Sequence, residues 1–292
     1  MLTACCRPPR GPRLRSPRVH GFTATTAVIL VAIGLGVGAF GTLIGAGGGF
    51  ILTPILLLLY PHDSAQTLTA ISLAAVFFNA ASGSAAYARQ RRIDYRSGTV
   101  FALATLPGAV GGALLVGSVS RHVFDAIMGA VLALLAAWLL AGERWPLPRP
   151  THHLEHRVLV DAAGRRYTYS VPLRRGALYS LGVGFVSSFL GIGGGVIHVP
   201  LLVRALGFPT HLATATSHFV LMIMAGAGTL THVLQHSFAH GHGIRRTIAL
   251  SAGVIGGAQL GAHISLRLHG AVIQRLLAAA LLALALRLLL TV

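Results

Sequence analysis

Apolar positions in this chain come in long unbroken stretches, without the period of 2 or 3.6 that marks half-buried strands and amphipathic helices. They cover residues 22–60, 66–88, 97–118 and 122–141. After a polar stretch at 142–175 they resume at 177–207, 211–236, 246–266 and 269–291. About 20 helical residues cross the hydrocarbon core of a bilayer. Most of these stretches fit one crossing each, but the first and fifth are longer, and each contains a glycine run. Gly45-Ala46-Gly47-Gly48-Gly49 precedes Phe50-Ile51-Leu52-Thr53-Pro54; Gly191-Ile192-Gly193-Gly194-Gly195 precedes Val196-Ile197-His198-Val199-Pro200. Glycine inside a helix costs roughly 1 kcal/mol against alanine, so each run predicts a broken helix. Irregular backbone at membrane depth is tolerated where it lines a protein-enclosed cavity, and paired breaks in matching halves point to a transporter's binding site.

The second half repeats the first. Gly45, Gly47, Gly48, Gly49, Ile51, Pro54 and Leu56 match Gly191, Gly193, Gly194, Gly195, Ile197, Pro200 and Leu202 at an offset of 146 residues. Thr69-Ala70-Ile71-Ser72 then matches Thr214-Ala215-Thr216-Ser217, and Gly111-Gly112-Ala113 matches Gly256-Gly257-Ala258. The expected fold is an all-α integral membrane protein of about eight transmembrane segments in two homologous four-segment repeats, the first segment of each broken at its glycine run. Residues 1–21 read as a basic disordered cytoplasmic tail, 22–141 as the first membrane repeat, 142–175 as a cytoplasmic connector and 176–292 as the second membrane repeat. Within the connector, Val158–Asp161 and Tyr167–Val171 flank Ala162-Ala163-Gly164, which predicts a small β-hairpin.

Composition supports the membrane assignment. The 292 residues are 54% hydrophobic and 10% charged, with mean hydropathy +0.74; a soluble domain carries about 25% charged residues. The first apolar segment lacks a small-residue cleavage site and is expected to stay as a span rather than be removed as a signal peptide. A net charge of +17 would suit nucleic acid, but all 23 basic residues are arginines and most lie between apolar segments. They are therefore read as a topology signal, with no nucleic-acid partner. If every segment crosses, the tail arginines, Arg89–Arg96, the connector arginines, Arg245 and Arg246 share the cytoplasmic side. Both termini are then cytoplasmic and the two repeats run in parallel. Re-entrant glycine segments would instead make the repeats inverted. Vicinal Cys5 and Cys6 rarely pair, so no disulfide framework is expected.

A broken helix presents free N–H groups and a positive dipole end, which bind anions without a charged side chain. The expected substrate-binding residues are Gly45, Gly47, Gly48, Gly49, Gly191, Gly193, Gly194 and Gly195, with Thr69, Ser72, Asn79, Thr214, Thr216 and Ser217 lining the cavity. The competing reading is close helix packing through small residues and interhelical hydrogen bonds. His198 and His218 align with Leu52 and Leu73, so the second repeat gained two ionisable groups; both are candidates for proton coupling. His232 and His236, at i and i+4 on one helix face and followed by His240 and His242, are weak metal candidates without an accompanying glutamate. The few carboxylates form no intramembrane pair. No Walker A, Rossmann or G-x-S-x-G motif appears, which argues against ATP-driven transport and against an enzyme. No cofactor is expected.

The paired GxGGG-x(4)-P motifs, the following Thr-Ala-x-Ser segments and the duplicated layout resemble the TauE/SafE family of sulfite exporters, also described as four-toluene-sulfonate uptake permeases. The resemblance covers roughly residues 22–291. It implies secondary transport of a small sulfur-containing anion, sulfite or an organosulfonate, across a bacterial inner membrane, with export as the direction. Two alternatives stay open: a passive anion channel, and a metal-ion transporter using His232 and His236. Oligomeric state is left undetermined by the sequence.

Overall fold

The computed structural model describes residues 23–140, 154–238, 242–265, 267–268 and 270–291. The basic tail, the first part of the connector and His240 lie outside these residues. The first half comprises α1 (Ala24–Ile44), α2 (Gly49–Leu59), α3 (Ala65–Arg89), α4 (Tyr95–Leu115) and α5 (Arg121–Leu140). Two strands follow, β1 (Glu155–Val160) and β2 (Arg166–Val171). The second half comprises α6 (Leu173–Leu190), α7 (Gly195–Arg204), α8 (Thr210–Leu234), α9 (Gly243–Ile264) and α10 (Gly270–Thr291). Among the described residues, six helices are long and apolar enough to cross a membrane: Ala24–Ile44, Ala65–Arg89, Tyr95–Ser118, Arg121–Trp138, Thr210–Leu234 and Gly243–Ile264.

Local chemistry sets the helix starts. The Ser64 hydroxyl accepts the Thr67 N–H at 3.2 Å, and Asp94 Oδ1 accepts the Ser97 N–H at 3.1 Å, each satisfying a first-turn donor of α3 or α4. The predicted hairpin is present, with Glu155 opposite Val171 and Val160 opposite Arg166. Its turn is held by Asp161 Oδ1, which accepts from Ala163 N and Arg165 N, and Gly164 supplies the positive φ of 77°.

The two halves interlock. The α1 helix packs most extensively on α9, and α6 on α4, so each repeat's first helix lies against the other repeat's fourth. Backbone contact at these crossings requires glycine. A Cβ on Gly257 would meet Leu35 O and Ala39 N, and one on Gly112 would meet Phe185 O and Phe189 N. Helices α3 and α8 run antiparallel through the centre. Gln66 at the start of α3 donates to Gln235 beyond the end of α8 (3.3 Å), while His218 near the start of α8 meets Gly83 and Tyr87 near the end of α3. Leu73 meets Gly228 in the same way that its aligned partner His218 meets Gly83, the aligned partner of Gly228.

Equivalent helices of parallel repeats would run parallel, so this pairing corrects the expected orientation: the repeats are inverted. The cause is that each glycine run turns the chain back. Arg246 at the start of α9 pairs with Asp63 and stacks on Tyr60 just past α2, and α1 runs alongside α9 from the same end. The α1–break–α2 unit therefore enters and leaves on one face. By the same logic α6–break–α7 enters and leaves on the other. There β2 precedes α6, and Arg204 in the last turn of α7 donates to Trp138 O at the end of α5. The single-sided arginine arrangement is corrected with it. Arg89, Arg91, Arg92, Arg96, the hairpin arginines and Arg204 share the hairpin face; Arg121, Arg245, Arg246 and the start of α1 lie opposite. The first helix and the connector cannot both be cytoplasmic.

Candidate functional site

Both glycine runs adopt backbone that only glycine takes cheaply. Helix α1 closes on Gly45 (φ 81°), and α2 starts from Gly48 (φ 80°). Helix α6 closes on Gly191 (φ 69°), and α7 starts from Gly194 (φ 47°). A β-carbon in this left-handed region is strained. Gly41 O accepts the N–H groups of Ala46 (2.8 Å) and Gly47 (3.2 Å), which ties the first turn-back to its own helix. All residues of both runs are buried. The runs also touch each other. A Cβ on Gly49 would lie 2.7 Å from Gly191 O, one on Gly195 would lie 2.7 Å from Ala46 Cα, and Gly47 and Gly193 both press on Val76 in mid-α3. The starts of α2 and α7 meet at the middle of the fold, each presenting the positive end of its helix dipole, although Ile51 N and Ile197 N already donate to Gly48 O and Gly194 O.

The aligned serines reach across this meeting. Ser72 donates to Gly191 O at 2.8 Å, Ser217 donates to Gly45 O at 3.2 Å, and Thr53 adds a second donor to Gly191 O at 2.8 Å. Each repeat thus closes the other's last helical carbonyl. Thr69 lies against Gly191 and Thr214 against Gly45; Thr214 donates to His211 O, whereas Thr69 Oγ1 is buried with no hydrogen-bond partner. Asn79 accepts from Thr42 Oγ1 at 3.2 Å through Oδ1, and its Nδ2 is buried and unpartnered. Thr216 is not at the breaks: its hydroxyl accepts the Asp94 N–H at 3.1 Å near the hairpin face.

The two histidines separate. His218 stands beside the first break, with Nε2 3.2 Å from Thr42 Oγ1 and its ring edge-on to Tyr87, whose hydroxyl donates to Thr42 O at 2.7 Å. His198 points away from the breaks, with Nε2 3.1 Å from Ser180 Oγ and its ring edge-on to Phe101. The expected shared helix face of His232 and His236 is not formed, because α8 ends at Leu234. His232 is buried beside Ser237, while His236 is exposed at φ 54°. Among the described residues, no group of three His, Cys, Asp or Glu side chains could hold a metal ion.

Sequence reasoning missed Thr42, Thr53, Ser187 and Ser188. The hydroxyls of Ser187 and Ser188 are buried and unpartnered in the last turn of α6, Ser187 beside Gly194 and Ser188 beside Gly228. Thr42 and Ser188 occupy equivalent positions before the two runs, and this repeated polar residue in an apolar segment was the available signal. The arrangement therefore brings together two helix starts and a set of buried hydroxyl and amide donors. Every carboxylate among the described residues lies at a segment end or in the hairpin region.

Inverted repeats with facing discontinuous helices define a class of multi-pass membrane transporters. Residues 30–288 match the family described as sulfite exporter TauE/SafE, and the chain belongs to that family. It is 30% identical over 249 residues to the "Probable membrane transporter protein YunE" of Bacillus subtilis, covering 83% of this chain and 89% of that protein. A "Probable membrane transporter protein" of Xylella fastidiosa is 29% identical over 84% of this chain and 87% of its own length. A relative from Methanocaldococcus jannaschii is 24% identical over 72% and 73%. No solved structure matches the chain.

Proposed function

We propose that this protein is a secondary carrier of small sulfur-containing anions, sulfite or an organosulfonate, working in the export direction across a bacterial inner membrane. One observation carries the reading. Thr69 Oγ1 and Ser187 Oγ, beside the second break at Gly191 and Gly194, and Asn79 Nδ2 and Ser188 Oγ, beside Thr42 and Gly228, are buried polar groups without protein partners. A buried donor left unmade costs about 1–3 kcal/mol, and an oxyanion among these groups removes that cost. The region is short of negative charge, which suits anionic and not cationic cargo. Both glycine runs are buried in this conformation, which favours a carrier over an open channel. One repeat rocks against the other to expose the breaks to each face in turn. The arginines of the hairpin face favour the cytoplasm for that face, against the pull of the five tail arginines ahead of the first helix.

The test is sulfite efflux from proteoliposomes. Thr69→Val combined with Ser188→Ala keeps the shape and removes two unpartnered hydroxyls. Efflux at low substrate falls by about tenfold or more, one lost anion hydrogen bond being worth roughly a factor of ten, while the melting temperature holds. Unchanged efflux in the folded variant removes this reading. Saturation and counterflow are expected; ohmic single-channel currents would favour the pore.

A further inference from the structure

The hairpin face carries a second cluster that transport through the breaks does not use. Arg92, in the turn between α3 and α4, is 1% exposed at its side chain, and its Nε, Nη1 and Nη2 have no hydrogen-bond acceptor among the described residues. The nearest counter-charge is Asp161 in the hairpin turn, whose Oδ2 lies 3.7 Å from Arg92 Nε, beyond hydrogen-bond range. That carboxylate is already engaged. It accepts from Ala163 N, Arg165 N and Arg165 Nε at 2.9–3.0 Å, and from the Tyr167 hydroxyl at 3.4 Å.

A buried guanidinium offers five donors in a planar fork and is strongly unfavourable when they stay empty. Burial, followed by the nearby Arg165 charge, pushes Arg92 below the usual guanidinium range. The competing reading makes Arg92 a simple tie between hairpin and loop. That tie is already made by other groups: Tyr169 donates to Asp94 Oδ2 at 2.9 Å, Ala162 N donates to Gln90 O at 2.9 Å, and Tyr169 packs on Phe208. A 3.7 Å contact adds little to them. Arg165 approaches the same carboxylate from the solvent side, with its side chain 46% exposed.

We propose that Arg92 and Arg165 form an oxyanion site under the hairpin, separate from the glycine breaks. Arg92 takes a small sulfur or phosphorus oxyanion by charge-assisted hydrogen bonds, and Arg165 covers it from solvent. The site requires no particular identity of the transported anion.

The experiment is calorimetric titration of the purified full chain with inorganic sulfite, sulfate and phosphate as separate probes. At least one probe shows a binding event that survives Thr69→Val with Ser188→Ala. The same event weakens by about tenfold or more in Arg92→Gln, the scale of a lost charge-assisted hydrogen bond, and severalfold in Arg165→Gln. Unchanged affinity in folded Arg92→Gln overturns the proposal. If Arg92→Gln does not fold, Arg165→Gln decides, since unchanged affinity there also overturns it. Binding lost only in the central double variant overturns this site while leaving the transport reading standing. Binding lost only in the arginine variants supports this site, and the transport reading then stands or falls on the efflux assay.

Discussion

Ser72 and Ser217 occupy equivalent positions, yet the structure makes them unequal. Gly191 O accepts from both Thr53 and Ser72 at 2.8 Å, whereas Gly45 O accepts from Ser217 at the longer 3.2 Å, with the His218 ring close by. Ser217→Ala is therefore expected to destabilise the fold by about 1–2 kcal/mol, the cost of leaving a buried carbonyl unmade, and Ser72→Ala by less. Thermal unfolding in one detergent would compare them; a larger loss in Ser72→Ala would contradict this assignment. The sequence aligns these serines as a pair. It could not show their bonds, because hydroxyls that line a cavity and hydroxyls that staple two backbones have the same signature in an apolar segment. His198 and His218 illustrate the same limit. Both replace leucines three to four residues into a polar patch, and only the packing of α6 against α4 takes His198 away to Ser180.

At the scale of elements, segment boundaries, both breaks and the β-hairpin were legible, since each rests on local chemistry: apolar length, glycine, and turn residues. The direction of the repeats was not. Counting arginines presupposes that each apolar stretch crosses, and the two turn-backs at Gly45–Gly48 and Gly191–Gly194 change the parity of everything downstream. A direct check uses Cys5→Ser and Cys6→Ser as background, with Arg91→Cys or Arg245→Cys added, both positions being exposed. A membrane-impermeant maleimide applied to sealed vesicles labels one and not the other. Labelling of both from the same side would restore the parallel arrangement. The hairpin has its own signature. Burial raises the Asp161 pKa, but the combined hydrogen bonds from Arg165 and Ala163 outweigh it, and the carboxyl is held below its usual range. A carboxyl depressed on folding contributes stability above its unfolded pKa and loses it as pH falls through the folded value. Docking of the hairpin, followed by a fluorophore at Ala163→Cys, stays intact to about pH 4, near the ordinary aspartate pKa, and loosens only below it. Release at pH 6 would contradict the assignment.

For the whole molecule, the antiparallel crossing of α3 and α8 means that exchanging the shapes of the two halves turns the protein upside down. Under the proposed carrier reading, whatever bend lets the first half open toward one compartment, the second half can perform toward the opposite compartment. Were the halves chemically identical, the two states would be equally populated. They differ where Leu73 faces His218 and where Asn79 faces Met224 in the aligned positions. In the same carrier reading, mismatches of this kind, two among many along the halves, set in which compartment an unloaded molecule waits.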